Sequence, residues 1–301
     1  MCIRDRPVYA QPVQQPVYYA PVQPPKWADP ARLEQKELRR AASRLSFATM
    51  TSLPIQVLWT TLATLVLTVC GVNLMGPNTI GGFPPTAYYL ISSIASFLSI
   101  VLPFSFFLFF GKRKLSDTVL VEKNGVLNSV LLVFAGLAVS VLMNIPANLI
   151  SQLLEGAGLN GDANTADLLA MTPVQALTMF VSVVLVAPVT EEFAFRSVTT
   201  AVMRRWGDWP AVIFSALIFG MAHYSIQSLP VVLTAGFVMA LLYVRTRNIW
   251  VSIFVHMLNN LLATLPIALE GLVGADAANI ASNLLTYIVY GSVSYTHLRA
   301  H

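Results

Sequence analysis

Charge is what this sequence has least of. Only 11% of its 301 residues are Asp, Glu, Lys or Arg, against about 25% in a soluble domain. A water-facing surface cannot be covered on that supply. A soluble fold around one large core is therefore excluded, and the hydrocarbon of a bilayer is the solvent that fits. Cysteine is nearly absent too. Cys70 lies in an apolar run and its sole counterpart is Cys2, so no disulfide framework is implied. The net charge of +4 is small and sits in short clusters beside apolar runs, which suits membrane orientation and argues against a nucleic-acid partner.

What is present is apolar: 56% of residues are hydrophobic and the mean hydropathy is +0.67. Residues 1–6 and 293–301 read as translated adaptor sequence and are set aside. Their removal takes away His297 and His301 and leaves His223 and His256. Residues 7 to 25 are too rich in proline for a helix and predict a solvated tail leaning to polyproline. A short basic helix follows over Ala31 to Leu45, completing a cytoplasmic leader over 1–45.

From there the chain predicts an all-α, polytopic membrane protein of about eight transmembrane helices. Apolar runs fall at 52–75, 86–110, 126–151, 173–201, 209–225, 228–244, 249–269 and 278–292, and about 20 residues suffice to cross the hydrocarbon. The first three form one group, 52–151, and those within 172–292 a second. Lys and Arg test this division. Arg32, Lys36, Arg39, Arg40 and Arg44 precede the first run, and Lys112, Arg113, Lys114 and Lys123 lie between the second and third. Arg204 and Arg205 follow the fourth, and Arg245 and Arg247 the sixth. The alternate loops, Pro77–Pro85, Gln152–Thr172, Ser225–Ser228 and Glu270–Asn279, carry neither residue. By the positive-inside rule this predicts a multi-pass cell-membrane protein with both termini cytoplasmic.

Few acids fall inside the apolar runs. Glu191 and Glu192 do, with Arg196 close behind, in Ala-Pro-Val-Thr-Glu-Glu-Phe-Ala-Phe-Arg-Ser over 187–197. Ionisable groups at membrane depth are costly, which makes each a functional candidate. Glu192 and Arg196 are four apart and can pair along one helix face. Glu191 points about 100° away and is left without a partner. Phe219-Gly220-Met221-Ala222-His223 ends the next run, where a lone His is as often a hydrogen-bonded core residue as a catalyst. His256 and Asn260 stand one turn apart on one face of a later run, with Asn259 directed elsewhere. Interhelical glue is the bland reading of such groups.

At about 1.5 Å per residue, Glu191 lies about 20 Å from Arg204, His223 about 22 Å from Asp208, and His256 and Asn260 about 14 and 20 Å from Arg247. All four groups therefore fall at similar depth. Pro188 should free a backbone carbonyl and bend the helix that carries the glutamates.

Glu-Glu-x-x-x-Arg, then Phe-x-x-x-His, then His-x-x-x-Asn, in this order on apolar helices, resembles the CPBP family. This is the family of CAAX prenyl endopeptidases and of bacterial bacteriocin-processing and immunity proteins. The likeness covers about Thr172 to Leu269 and every motif position is met. It implies an intramembrane endopeptidase that hydrolyses a peptide bond of a membrane-associated substrate. It further implies Glu191 as the activating carboxylate, Glu192 paired to Arg196, His223 assisting the water, and His256 with Asn260 polarising the scissile carbonyl.

Two versions of that chemistry stay open. In the preferred one glutamate activates water and no cofactor is needed. In the other, Glu191, His223 and His256 hold Zn²⁺ with water in the open position. A non-catalytic immunity or scaffold protein that binds peptides is the alternative from another class, and it would tolerate Glu191→Gln. A proton-coupled transporter is a third, disfavoured because no internal repeat is visible.

Overall fold

The computed structural model describes residues 29–72, 74, 79, 82–159, 172–273, 276–277, 280–281 and 283–284. The proline-rich segment over 7–25, the set-aside ends and nearly all of the run at 278–292 lie outside them. Contacts divide the chain after Glu37. In the first unit the described residues are the opening turns of α1 (Pro30–Met50), and everything below concerns the second.

That second unit is all-α. In order come α2 (Ser52–Val69), α3 (Pro85–Ser96) and α4 (Leu102–Phe110), the last two joined through a π-helical stretch at Phe97–Val101. Next are α5 (Val126–Gly156), α6 (Pro173–Met179), a second π stretch at Phe180–Val186 and α7 (Ala187–Glu191). A third π stretch at Glu192–Thr200 leads to α8 (Ala201–Met203), α9 (Asp208–Met221), α10 (Leu229–Thr246) and α11 (Ile249–Val273). Among the described residues no strand forms, only isolated bridges such as Val121 to Asn248.

Among the described residues five continuous helices are long and apolar enough to cross a membrane: Pro30–Val69, Pro85–Phe110, Val126–Gly156, Pro173–Trp206 and Leu229–Thr246. Asp208–Met221 and Ile249–Leu265 are shorter apolar helices. The protein is thus polytopic, while the count of eight is not reproduced. The first expected run, from 52, opens where α2 does, at Ser52. Leu45, Ala48, Thr49 and Ser52 are all buried in the core, so burial begins before the apolar run at 52 does.

The burial pattern is that of a lipid-soluble molecule. Large apolar side chains face outward, among them Leu58, Phe109, Phe110 and Val126, each at least 70% exposed. Inside, Glu192, Arg196, Ser197, Thr199, Thr200, Ser215 and Ser252 are fully buried. In water this arrangement would be unstable. In hydrocarbon, where outward apolar groups cost nothing and polar groups need each other, it is the expected one.

Hydroxyls hold the third π stretch open. Thr199 and Thr200 donate to the carbonyls of Ala194 and Phe195, five residues back, and Ser215 from α9 also donates to Phe195. At the base of the bundle, the segment before α5 is stitched to the α10–α11 turn. Asn248 Nδ2 donates to Glu122 O and Asn124 Nδ2 to Thr246 O, each at 2.9 Å, and Arg247 pairs with Glu122. Tyr243 donates its hydroxyl to Thr118 O. These bonds fix the starts of α5 and α11, which pack side by side with α10 against both.

Candidate active site

Glu191 closes α7 and Glu192 opens the π stretch that follows. The Glu192 carboxylate faces Arg196, with Oε2 3.2 Å from Nε and both side chains fully buried. Arg196 is held from two further sides. Its Nη2 donates to Gly236 O at 3.4 Å, and its guanidinium lies 4.2 Å from the centre of the Phe219 ring, a cation–π contact. Gly236 is required by this approach: a Cβ there would meet Phe219 Cδ1 at 2.8 Å. Helix α10 can therefore reach the arginine only through a residue without a side chain.

The motif spacing does not reveal where His256 goes. It stands between the two glutamates. Nδ1 is 2.9 Å from Glu192 Oε1, and Nε2 is 3.7 Å from Glu191 Oε2. A carboxylate paired with arginine accepts hydrogen bonds, so Nδ1 carries the hydrogen and Glu192 fixes the ring's orientation. Nε2 is thereby turned to Glu191 at a distance too long for a direct hydrogen bond. Glu191 Oε2 has no hydrogen-bond partner and faces His256 across that gap, and its side chain keeps 15% exposure where Glu192 has none.

Asn260, one turn beyond His256, donates Nδ2–H to Val183 O at 2.9 Å. His223 departs more from expectation. It lies in the turn after α9 rather than within a helix, and it is exposed. Its Nδ1 contacts Phe219 O at 2.9 Å, which leaves Nε2 as the nitrogen for chemistry. The Phe219 ring joins the two histidines, edge-on to His223 at 4.9 Å and to His256 at 5.6 Å. Sequence reasoning used Phe219 only as a motif position. Its role as the shared wall of both histidines and the lid of Arg196 follows from three helices meeting at one ring.

Tyr224, also missed, follows His223 in a left-handed conformation at φ 52, which is rare and strained for a bulky residue. Its hydroxyl lies 2.6 Å from Ser52 Oγ and donates to Thr49 O at 3.3 Å. The histidine turn is thus fastened to the α1–α2 junction.

Glu191, His223 and His256 are the candidate ligands for a metal. Glu191 Oε2 and His256 Nε2 are close enough to share an ion after small adjustment. Among the described residues, however, no group of three His, Cys, Asp or Glu side chains converges. One nitrogen of each histidine is already engaged with protein oxygen.

Comparison with known proteins places the same region. Residues 173–262 match the family described as Type II CAAX prenyl endopeptidase Rce1-like. A Bacillus subtilis (strain 168) protein named "Putative membrane peptidase YdiL" is 31% identical over 140 residues, 46% of this chain and 57% of the relative. The chain thus spans a little over half the length of that relative. No solved structure matches. The matched stretch runs from α6 into α11 and contains Glu191, Glu192, Arg196, His223, His256 and Asn260.

Proposed function

We propose that this chain, whose residues 173–262 match the Rce1-like family, is an intramembrane endopeptidase of the CPBP family that hydrolyses a peptide bond of a membrane-associated protein or peptide. The observation that carries this reading is His256, wedged between two carboxylates of unlike surroundings inside an apolar bundle. A structural ion pair needs only Glu192 and Arg196. It does not need a second, partly accessible glutamate facing the free nitrogen of a histidine.

In this reading Glu191 takes a proton from water as its oxygen attacks the scissile carbonyl, and His223 Nε2 assists from the turn. The C–O bond forms and the carbonyl oxygen becomes an oxyanion. The second N–H of Asn260 stabilises that charge, while His256, its tautomer fixed by Glu192, keeps Nε2 as an acceptor facing Glu191. The C–N bond then breaks as the proton held by Glu191 passes to the leaving amine. Every proton is accounted for by protein groups and water. A Zn²⁺ held by Glu191 and His256 would act as a Lewis acid on the same carbonyl, but it would need a ligand set that the described residues do not assemble.

The test is mass spectrometry of membrane peptides from cells producing the wild-type protein or Glu191→Gln at equal level. Peptides released only by the wild type are expected. Identical peptide profiles would favour the non-catalytic binding or immunity reading. Chelation with retained cleavage is expected, and loss restored by added Zn²⁺ would make Glu191 and His256 ligands.

A further inference from the structure

The anchor of Asn260 traces to a proline in another helix. Resting on the hydrolytic reading above, we infer that Pro188 is a positioning residue. It withholds the backbone hydrogen that would otherwise occupy the Val183 carbonyl, and so leaves that carbonyl to hold the Asn260 amide.

The hydrogen-bond register carries the argument. Over Phe180–Val186 the helix is in the five-residue π pattern, and at its end Ala187 N–H donates to Ser182 O. The next donor in line belongs to residue 188 and would serve Val183 O. Residue 188 is proline and has no N–H. A carbonyl at membrane depth left without a donor is costly, so it recruits one from outside the helix. Asn260 Nδ2 supplies it at 2.9 Å. A primary amide has two N–H groups. With one tied to Val183, the side chain is fixed and the second is held in a constant direction, as a preorganised donor to an oxyanion requires. π segments of this kind concentrate at functional sites.

A proline that only bends the helix would make a different prediction. In Pro188→Ala the new N–H serves Val183 O if the π register persists. If the register relaxes to four residues, Ala187 N–H serves it instead. Either way the carbonyl gains a backbone donor and Asn260 loses its exclusive partner.

The experiment uses the full chain in lipid nanodiscs, with a peptide found cleaved by the wild type but not by Glu191→Gln as substrate. Pro188→Ala should leave protein level unchanged or raised, lower kcat by about tenfold or more, and leave KM within about twofold. In protein labelled with ¹⁵N-asparagine, the Asn260 side-chain signal, assigned by its loss in Asn260→Ala, should shift and exchange faster with water. Placing lactic acid at position 188, an alanine analogue whose ester has no N–H, should restore both kcat and the signal. Full kcat with an unmoved Asn260 signal in Pro188→Ala would overturn the inference. So would a fall in protein level that lactic acid does not reverse, since the ring would then serve the fold. If no peptide distinguishes wild type from Glu191→Gln, the hydrolytic reading fails, and the Asn260 signal still decides whether Pro188 sets that side chain.

Discussion

Glu191 and Glu192 are adjacent, yet Glu192 has no exposure and is held by Arg196 and His256, while the Glu191 side chain keeps 15% exposure. Substituting Glu191 should therefore change turnover and not folding. Glu191→Gln is expected to accumulate normally and lose about 10²- to 10⁴-fold in cleavage rate, the usual worth of a general base, read by immunoblot beside a cleavage assay. Glu192→Ala should do the reverse first. Leaving Arg196 buried without its carboxylate costs about 3–5 kcal/mol, visible as reduced membrane-extracted protein. Adding Arg196→Ala should recover part of that level. It should not recover activity, because Glu192 also holds His256 Nδ1. Recovery of full cleavage in the double variant would show that the histidine needs no such support. The Glu192–Arg196 pair was legible from spacing alone. The His256 contact was not, because it joins groups 64 residues apart and a side-chain direction across helices is not encoded in either motif.

Among the elements, the π stretches were the least legible. Nothing in the apolar runs marks a change from a four- to a five-residue register, although Pro188 did signal that a carbonyl would be freed. Which carbonyl depends on the register, and that is set by hydroxyls and packing. The turn after α9 was also misjudged. A run of apolar residues through 225 reads as helix, but α9 stops at Met221 and the chain turns through a left-handed Tyr224. Tyr224→Phe removes the hydroxyl contact to Ser52 and Thr49. It should lower the thermal midpoint of the purified protein, with a cost of about 0.5–1.5 kcal/mol for one net hydrogen bond. Ser52→Ala should do the same, and the pair together should cost less than the sum. Additive effects would mean that the two hydroxyls do not act through each other.

For the molecule as a whole, charge scarcity led directly to the membrane, and the polar interior beneath an apolar exterior agrees with it. Helix bounds from hydropathy held well for Pro85–Phe110 and Leu229–Thr246. The short basic helix expected over Ala31 to Leu45 is the greater part of α1, which runs on to Met50 and enters the core with Leu45. The orientation expected from the placement of Lys and Arg is tested with single cysteines after Cys2 and Cys70 are replaced. Lys114→Cys should resist an impermeant thiol reagent applied to intact cells, and Ala157→Cys should react. The opposite pattern would invert the protein.

The ion pair has a consequence for how the chain is made. Glu192 and Arg196 sit four residues apart in one helix, so each has its counter-charge as soon as that helix leaves the ribosome. The remaining partners arrive later: Phe219, then Gly236, which is 40 residues beyond Arg196, and finally His256. A charge that had to wait for a distant helix would meet lipid alone, at a cost of a few kcal/mol or more. Local pairing removes that interval, and the groups that chemistry needs are added to a segment whose arginine already has its counter-charge when it enters the bilayer.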